Sequence, residues 1–187
     1  MNTITYVEQL WNTIETEYKG KTRLLFSGNR TAKCSLSLTG KFIVIGKWYC
    51  EMIRQKSGDE LAGMVILHSL GHELTHKKDR YYFKSAFPVN KKYSVISKIN
   101  EVHADYGGGG GGAAMIKLSK KNFVCVMEAK WGDGSGKITS THPSHKQRIE
   151  YAKMGKFDDR LVYKICIDNN YECTEELCKL YKDIELE

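Results

Sequence analysis

The stretch LHSLGHELTH, residues 67–76, sets three histidines four residues apart inside a longer apolar period formed by Leu61, Met64, Val65, Leu67 and Leu70. That period predicts a helix from Asp59 to about Lys78, with Ser57 or Asp59 as its N-cap. On a helix, residues four apart lie one turn apart on one face, so the helix decides which of the histidines can act together. His68 stands eight residues before His76. That separation is a rise of roughly 12 Å at about 1.5 Å per residue, too far for both to reach one ion.

His72 and His76 can share an ion, and Glu73 then turns toward a water in an open coordination position. This is the HExxH arrangement of two metal ligands and a general base. Pairing His68 with His72 would abandon that glutamate, so His68 is expected as a packed or rim histidine. A catalytic zinc takes three protein ligands and keeps a fourth position for water. The downstream candidates are Glu101, His103, Asp105, His142 and His145. Glu101 and Asp105 are four apart in NEVHADY and share a helix face, from which His103 is turned away. Glu101 as ligand, with Asp105 accepting a histidine N–H, is the economical assignment. His103 is then expected at the surface on the far side of its helix, and His145 as a solvent-facing helix residue. Arg148 reads equally as an ion-pair partner and as a catalytic group.

The 187 residues, 41% of them hydrophobic, suffice for a single domain with its own core. Val7, Leu10, Trp11, Ile14 and Tyr18 predict a helix over 4–19, closed by Gly20. A β-rich part follows over about 23–49, with the runs RLLF, CSLSL and KFIVIGKWY and a hairpin turn at Thr39-Gly40. Trp48 to Gln55 can turn helical before Gly58. After the motif helix, residues 79–92 read as a loop and Tyr93 to Tyr106 as a helix. Six glycines, Gly107 to Gly112, come next. At roughly 0.8–1 kcal/mol each relative to Ala they favour a helix break. Helix is expected to resume through AAMIKLSKKN and FVCVMEAK, with a flexible tip at 132–136. Another helix, with Pro143 in its first turn, should run to Met154. A helical tail over about 157–187 consists of segments near 157–167 and 172–185. The metal-binding core is thus expected over about 59–150.

The first twenty residues contain Glu8, Glu15 and Glu17 and no apolar block, and no later run approaches the roughly 20 apolar residues that span a bilayer. The expectation is a cytoplasmic protein without a transmembrane segment. In that setting the six cysteines are expected as reduced thiols, with no CxxC pair to hold zinc. The net charge of +7 comes from scattered lysines and arginines and reads as a solvated basic surface, requiring no nucleic acid.

HELTH followed by NEVHAD resembles the gluzincin pattern of HExxH and a later NExxxD. THPSHKQRI, residues 141–149, is similar to the HP-x-x-x-R-I segment of HtpX-type and CAAX prenyl-protease-type metallopeptidases. The resemblance covers residues 59–150. It implies an α+β, mostly helical zincin-type metallopeptidase domain with a small N-terminal sheet and an active-site HExxH helix. It further implies that His72, His76 and Glu101 bind one Zn2+, Glu73 acts as base and acid, and Asp105 orients His72. The activity implied is hydrolysis of peptide bonds in a peptide or protein substrate. A donor for the tetrahedral oxyanion is expected from His142, with Arg148, Tyr81 and Tyr82 behind it. FIVIG, with Phe42, Val44 and Gly46, is the segment expected to hold the substrate backbone by strand addition. Two departures stand out: many of those relatives are membrane-embedded, and here glycines replace a segment in which the family continues its helix. Two other readings remain: a SprT-like, nucleic-acid-associated metalloprotease with histidine as third ligand, or a non-catalytic binding module stabilised by zinc.

Overall fold

The computed structural model describes residues 1–79, 87–109, 117–132 and 135–186. Over these residues the chain is a mixed α+β fold, mostly helical, with a three-stranded sheet near its start and a two-stranded one near its end. Helix α1 (Thr3–Thr13) is capped by the Asn2 side chain, which accepts from the Thr5 N–H at 2.9 Å. Ile14 leaves helical geometry and buries its side chain, so the single helix expected over 4–19 is divided into α1 and a short α2 (Thr16–Lys19).

Strands β1 (Arg23–Ser27), β2 (Cys34–Leu36) and β3 (Phe42–Gly46) form a sheet of order β1-β3-β2. The hairpin expected around Thr39-Gly40 joins β2 to β3 antiparallel, while β1 pairs with β3 in parallel. β3 is therefore central, buries Ile43 and Ile45, and has both hydrogen-bonding edges occupied. This corrects the assignment of Phe42, Val44 and Gly46 to substrate pairing, since a strand flanked on both sides has no free edge. FIVIG is the most apolar of the three runs because it is interior, and the edges belong to β1 and β2.

β3 runs directly into α3 (Lys47–His76), so the β-rich part ends at Gly46 rather than Tyr49. The helix is interrupted at Gly58, whose φ of 72° lies in the left-handed region open to glycine. Asp59 turns its carboxylate to Arg54, at 2.8 Å and 3.2 Å, in place of the capping role expected of it. Beyond the interruption α3 buries Ala62, Val65, Ile66, Leu70 and Leu74.

Helix α4 (Lys91–Gly109) continues through Gly107, Gly108 and Gly109, where a break was expected. The reason is proximity. A Cβ on Gly107 would lie 2.3 Å from Thr75 Oγ1, and one on Gly108 would lie 2.6 Å from the His68 carbonyl oxygen. Contact of α4 with α3 at backbone range outweighs the weak helix propensity of glycine. Gly110 to Gly112, like Tyr81 and Tyr82, lie outside the described residues.

Helix α5 (Lys120–Trp131) begins at the cap Ser119, so Lys117 and Leu118 are not part of the helix expected through AAMIKLSKKN, whose residues 113–116 lie outside the described ones. Helix α6 (His145–Ala152) starts at a capping box between Ser144 and Gln147, which leaves Pro143 just ahead of the helix instead of in its first turn. Strand β4 (Lys156–Phe157) and α7 (Asp159–Asp168) follow. The second tail helix expected over 172–185 is reduced to one turn, α8 (Glu175–Cys178), before β5 (Ile184–Glu185) pairs antiparallel with β4. A single buried apolar cluster extends from Val7 to Leu186. No described helix is long and apolar enough to cross a membrane, and the six cysteines are free thiols.

Candidate metal centre

The close approach of α4 to α3 sets Glu101 and Asp105, one turn apart, opposite His72 and His76, also one turn apart. His72 Nε2 lies 3.5 Å from Glu101 Oε2, and His76 Nε2 lies 3.4 Å from Glu101 Oε1. The two imidazole Nε2 atoms are 3.1 Å apart. One ligand atom from each of these three residues falls within 4.8 Å of the others, and among the described residues this is the one group of at least three His, Cys, Asp or Glu side chains to do so. Two imidazole nitrogens and a carboxylate oxygen form a donor set suited to a borderline divalent cation.

The remaining ring nitrogens are also held. His72 Nδ1 is 3.0 Å from Asp105 Oδ1, the place expected of that carboxylate. His76 Nδ1 is 3.0 Å from Asp79 Oδ2, and the other Asp79 oxygen meets His103 Nδ1 at 2.7 Å. Each candidate ligand histidine thus has an orienting carboxylate behind it. Asp79 was missed in the sequence, although its position three residues after His76 was an available signal. His103 is not a surface residue: its ring packs 4.9 Å from Phe157 and 5.3 Å from Tyr181, because the C-terminal segment folds over that side of α4.

Arg148 is buried on α6 and forms the ion pair that was one of its two expected roles. It meets Asp105 at 2.5 Å and 2.8 Å and Glu101 at 3.2 Å. Burial alone would raise the carboxyl pKa values, but Arg148 and His72 beside Asp105 hold it well below the usual carboxylate range. Hydrogen bonds from His72 and His76 likewise overcome burial at Glu101. At His76, burial opposes the charged ring, but the Asp79 and Glu101 carboxylates prevail and push its pKa up to about 10 in the metal-free chain.

His68 is fully buried, as a packed histidine should be, with Nε2 3.0 Å from the Asp105 carbonyl oxygen and Nδ1 3.0 Å from Lys130 Nζ. Burial and the neighbouring Lys130 keep it neutral, so Nε2–H donates to the carbonyl and Nδ1 accepts from the ammonium. His145 is not solvent-facing: it stacks on Trp131 with centroids 4.4 Å apart and accepts from the Gly136 N–H at 3.0 Å.

A cavity of about 300 Å³ opens on the cluster. Glu73 lines it and accepts from the Leu36 N–H at 2.7 Å, which ties the carboxylate to the edge strand β2. His142 also lines it; its side chain is 53% exposed, with Nε2 3.4 Å from Glu101 Oε1 and Nδ1 2.7 Å from Thr141 Oγ1. The structure therefore brings together His72, Glu73, His76, Glu101, Asp105, His142 and Arg148, and leaves Phe42, Val44 and Gly46 outside the cavity lining. Cys34, Ser35 and Leu36 of β2 take their place there, together with Lys130 and Trp131 of α5, which no sequence motif marked. No protein-family model, curated protein or solved structure matches the chain, so the reading of this cluster rests on its own geometry.

Proposed function

We propose that the protein is a zinc-dependent endopeptidase of zincin type, similar to soluble forms of the HtpX and CAAX prenyl-protease metallopeptidases, acting on a peptide or protein substrate. The observation that carries this reading is the combination of a His72–His76–Glu101 donor set with a further carboxylate, Glu73, in the same cavity. A purely structural zinc site has four protein ligands and no use for such a carboxylate.

The residues fit the ion. Two Nε2 atoms and Glu101 converge in a buried setting, each histidine braced from behind by Asp105 or Asp79. When bound, one Zn2+ supplies Lewis acidity, polarising the scissile carbonyl and making water a better acid. Glu73 accepts the proton of the attacking water and delivers it to the departing amine. Its hydrogen bond to the Leu36 N–H limits its rotation while it does so. His142 Nε2, at the exposed side of the cavity, donates to the oxyanion of the tetrahedral state. Edge strand β2 offers backbone groups to an extended substrate, which fits recognition by strand addition with broad side-chain tolerance.

The test is cleavage of casein by the zinc-loaded chain. Glu73→Gln should abolish cleavage while zinc stays bound at one ion per chain; no cleavage by wild type with the site fully loaded would overturn the proposal. Glu101→Ala should lose the metal and His142→Ala retain it, the reverse of what a SprT-like site with a histidine third ligand requires.

A further inference from the structure

The cavity wall is not electrically uniform. Beside the acidic Glu73 and Glu101 it carries Lys33, at the entry to β2, with Lys130 and Trp131, at the end of α5. Lys33 Nζ lies 4.8 Å and Lys130 Nζ 5.3 Å from the centre of the Trp131 ring, so the indole gathers both ammonium groups. Neither lysine has a carboxylate within ion-pair distance among the described residues, and the hydrogen-bond partner of Lys130 is the neutral His68 ring. The indole N–H of Trp131 is buried without an acceptor among the described residues.

Lys33 and Lys130 also belong to the lining of a second cavity, of about 350 Å³, to which Arg30 and Lys56 add positive charge and Glu128 alone adds negative charge. The two cavities thus share a basic boundary that leads away from the metal ligands. The half-buried Lys130 and the exposed Lys33 beside it, neither with an ion-pair carboxylate among the described residues, form a binding surface for an incoming carboxylate through charge-assisted hydrogen bonds.

We infer that this basic wall recognises acidic side chains of the substrate, Lys33 and Lys130 binding the carboxylate nearest the cluster and Arg30 and Lys56 a second one further along. The inference rests on the peptidase reading of the same cavity. It concerns Glu or Asp side chains within an extended peptide, for which two adjoining pockets of this size are suited.

The experiment uses the full zinc-loaded chain carrying Glu73→Gln and measures, by fluorescence anisotropy, the affinity of a dye-labelled peptide with two Glu residues against its Gln analogue, each with a free or amidated C-terminus. The Glu peptide should bind about tenfold or more tightly, as expected for charge-assisted hydrogen bonds. Amidation should leave the preference intact, the double variant K33M/K130M should remove it, and K130R should retain it. Lys33 is exposed, so K33M alone reports on the wall without disturbing the core, and it should weaken the preference. Equal affinities, a preference lost on amidation, a preference surviving K33M/K130M, or tighter binding of a single-stranded oligonucleotide than of the Glu peptide would overturn the inference. Cleavage separates the two readings. Equal hydrolysis of both peptides by wild type sinks the acidic preference and leaves the peptidase standing. Acid-selective binding without any hydrolysis supports the wall and sinks the peptidase.

Discussion

Arg148 carries more of this site than its place in the sequence suggests. It binds two carboxylates, one of them a candidate ligand, and is itself buried. Removing one member of a buried, hydrogen-bonded ion pair strands the other charge, so Arg148→Met should cost about 3–5 kcal/mol in urea unfolding of the metal-free chain. A loss below about 1 kcal/mol would contradict the pairing. A second residue-scale outcome concerns His76. Since Asp79 and Glu101 hold its ring protonated up to about 10, a metal must displace that proton to reach Nε2. Calorimetric titration with zinc at pH 7, in buffers of different ionisation enthalpy, should register net proton release, and Asp79→Asn should reduce it. Identical heats in all buffers would refute the assignment. At this scale the His72, Glu73 and His76 set was legible from spacing alone, because one helical turn relates them. The tie between Asp79 and His103 was not, since it joins residues on two elements through a carboxylate no motif includes.

At the scale of elements, α3 and α4 are held at backbone contact by small residues. Propensity alone assigns Gly107→Ala a gain of roughly 1 kcal/mol. The structure assigns it a loss, since the added Cβ would meet Thr75 Oγ1 at 2.3 Å. Overpacking of this kind costs about 1–3 kcal/mol, so both Gly107→Ala and Gly108→Ala should lower the urea midpoint and weaken zinc affinity by separating Glu101 from the histidines. A stabilised Gly107→Ala would overturn this account of the glycine run. The sheet teaches a related lesson. Alternation and turn residues located all three strands, but strand order is a relation between them. The most apolar run therefore drew the substrate-pairing expectation, although it is the central strand and β2 is the one that lies at an edge and lines the cavity.

The whole molecule closes on itself when β5 pairs with β4 and Tyr181 reaches α4, donating from its hydroxyl to Asn100 Oδ1 at 2.6 Å. That closure covers His103 and Asp79; burial by itself raises the Asp79 pKa, and the hydrogen bonds from His103 and His76 bring it below its ordinary value. Asp79, Glu101 and Asp105 all have folded pKa values below their ordinary ones, so the unfolded chain binds more protons in acid. Their contribution is full above about pH 4–5, where unfolded carboxyls ionise, and is lost as pH falls toward the folded values. His76 acts in the opposite sense. Its contribution is full below about pH 6.5, the unfolded histidine value. It is lost as pH rises toward about 10. Metal-free stability, followed by urea midpoint with a chelator present, should therefore fall from pH 5 to pH 3 and again from pH 7 to pH 10. A midpoint constant across either interval would contradict the corresponding group.

The sequence by itself determined whatever depends on neighbours along one helix: that His72 and His76 face one way with Glu73 beside them, that Glu101 and Asp105 form a second such pair, and that His68 cannot join His76. The tertiary structure alone decided how those pairs meet, through glycines that let two helices touch. It also made β2 an edge strand, gave Asp79 two histidines, and set Lys130 and Trp131 in the cavity wall. Spacing encodes geometry only while the backbone between two residues is regular. Across a loop or a sheet, the distance between side chains is fixed by packing that no local period records.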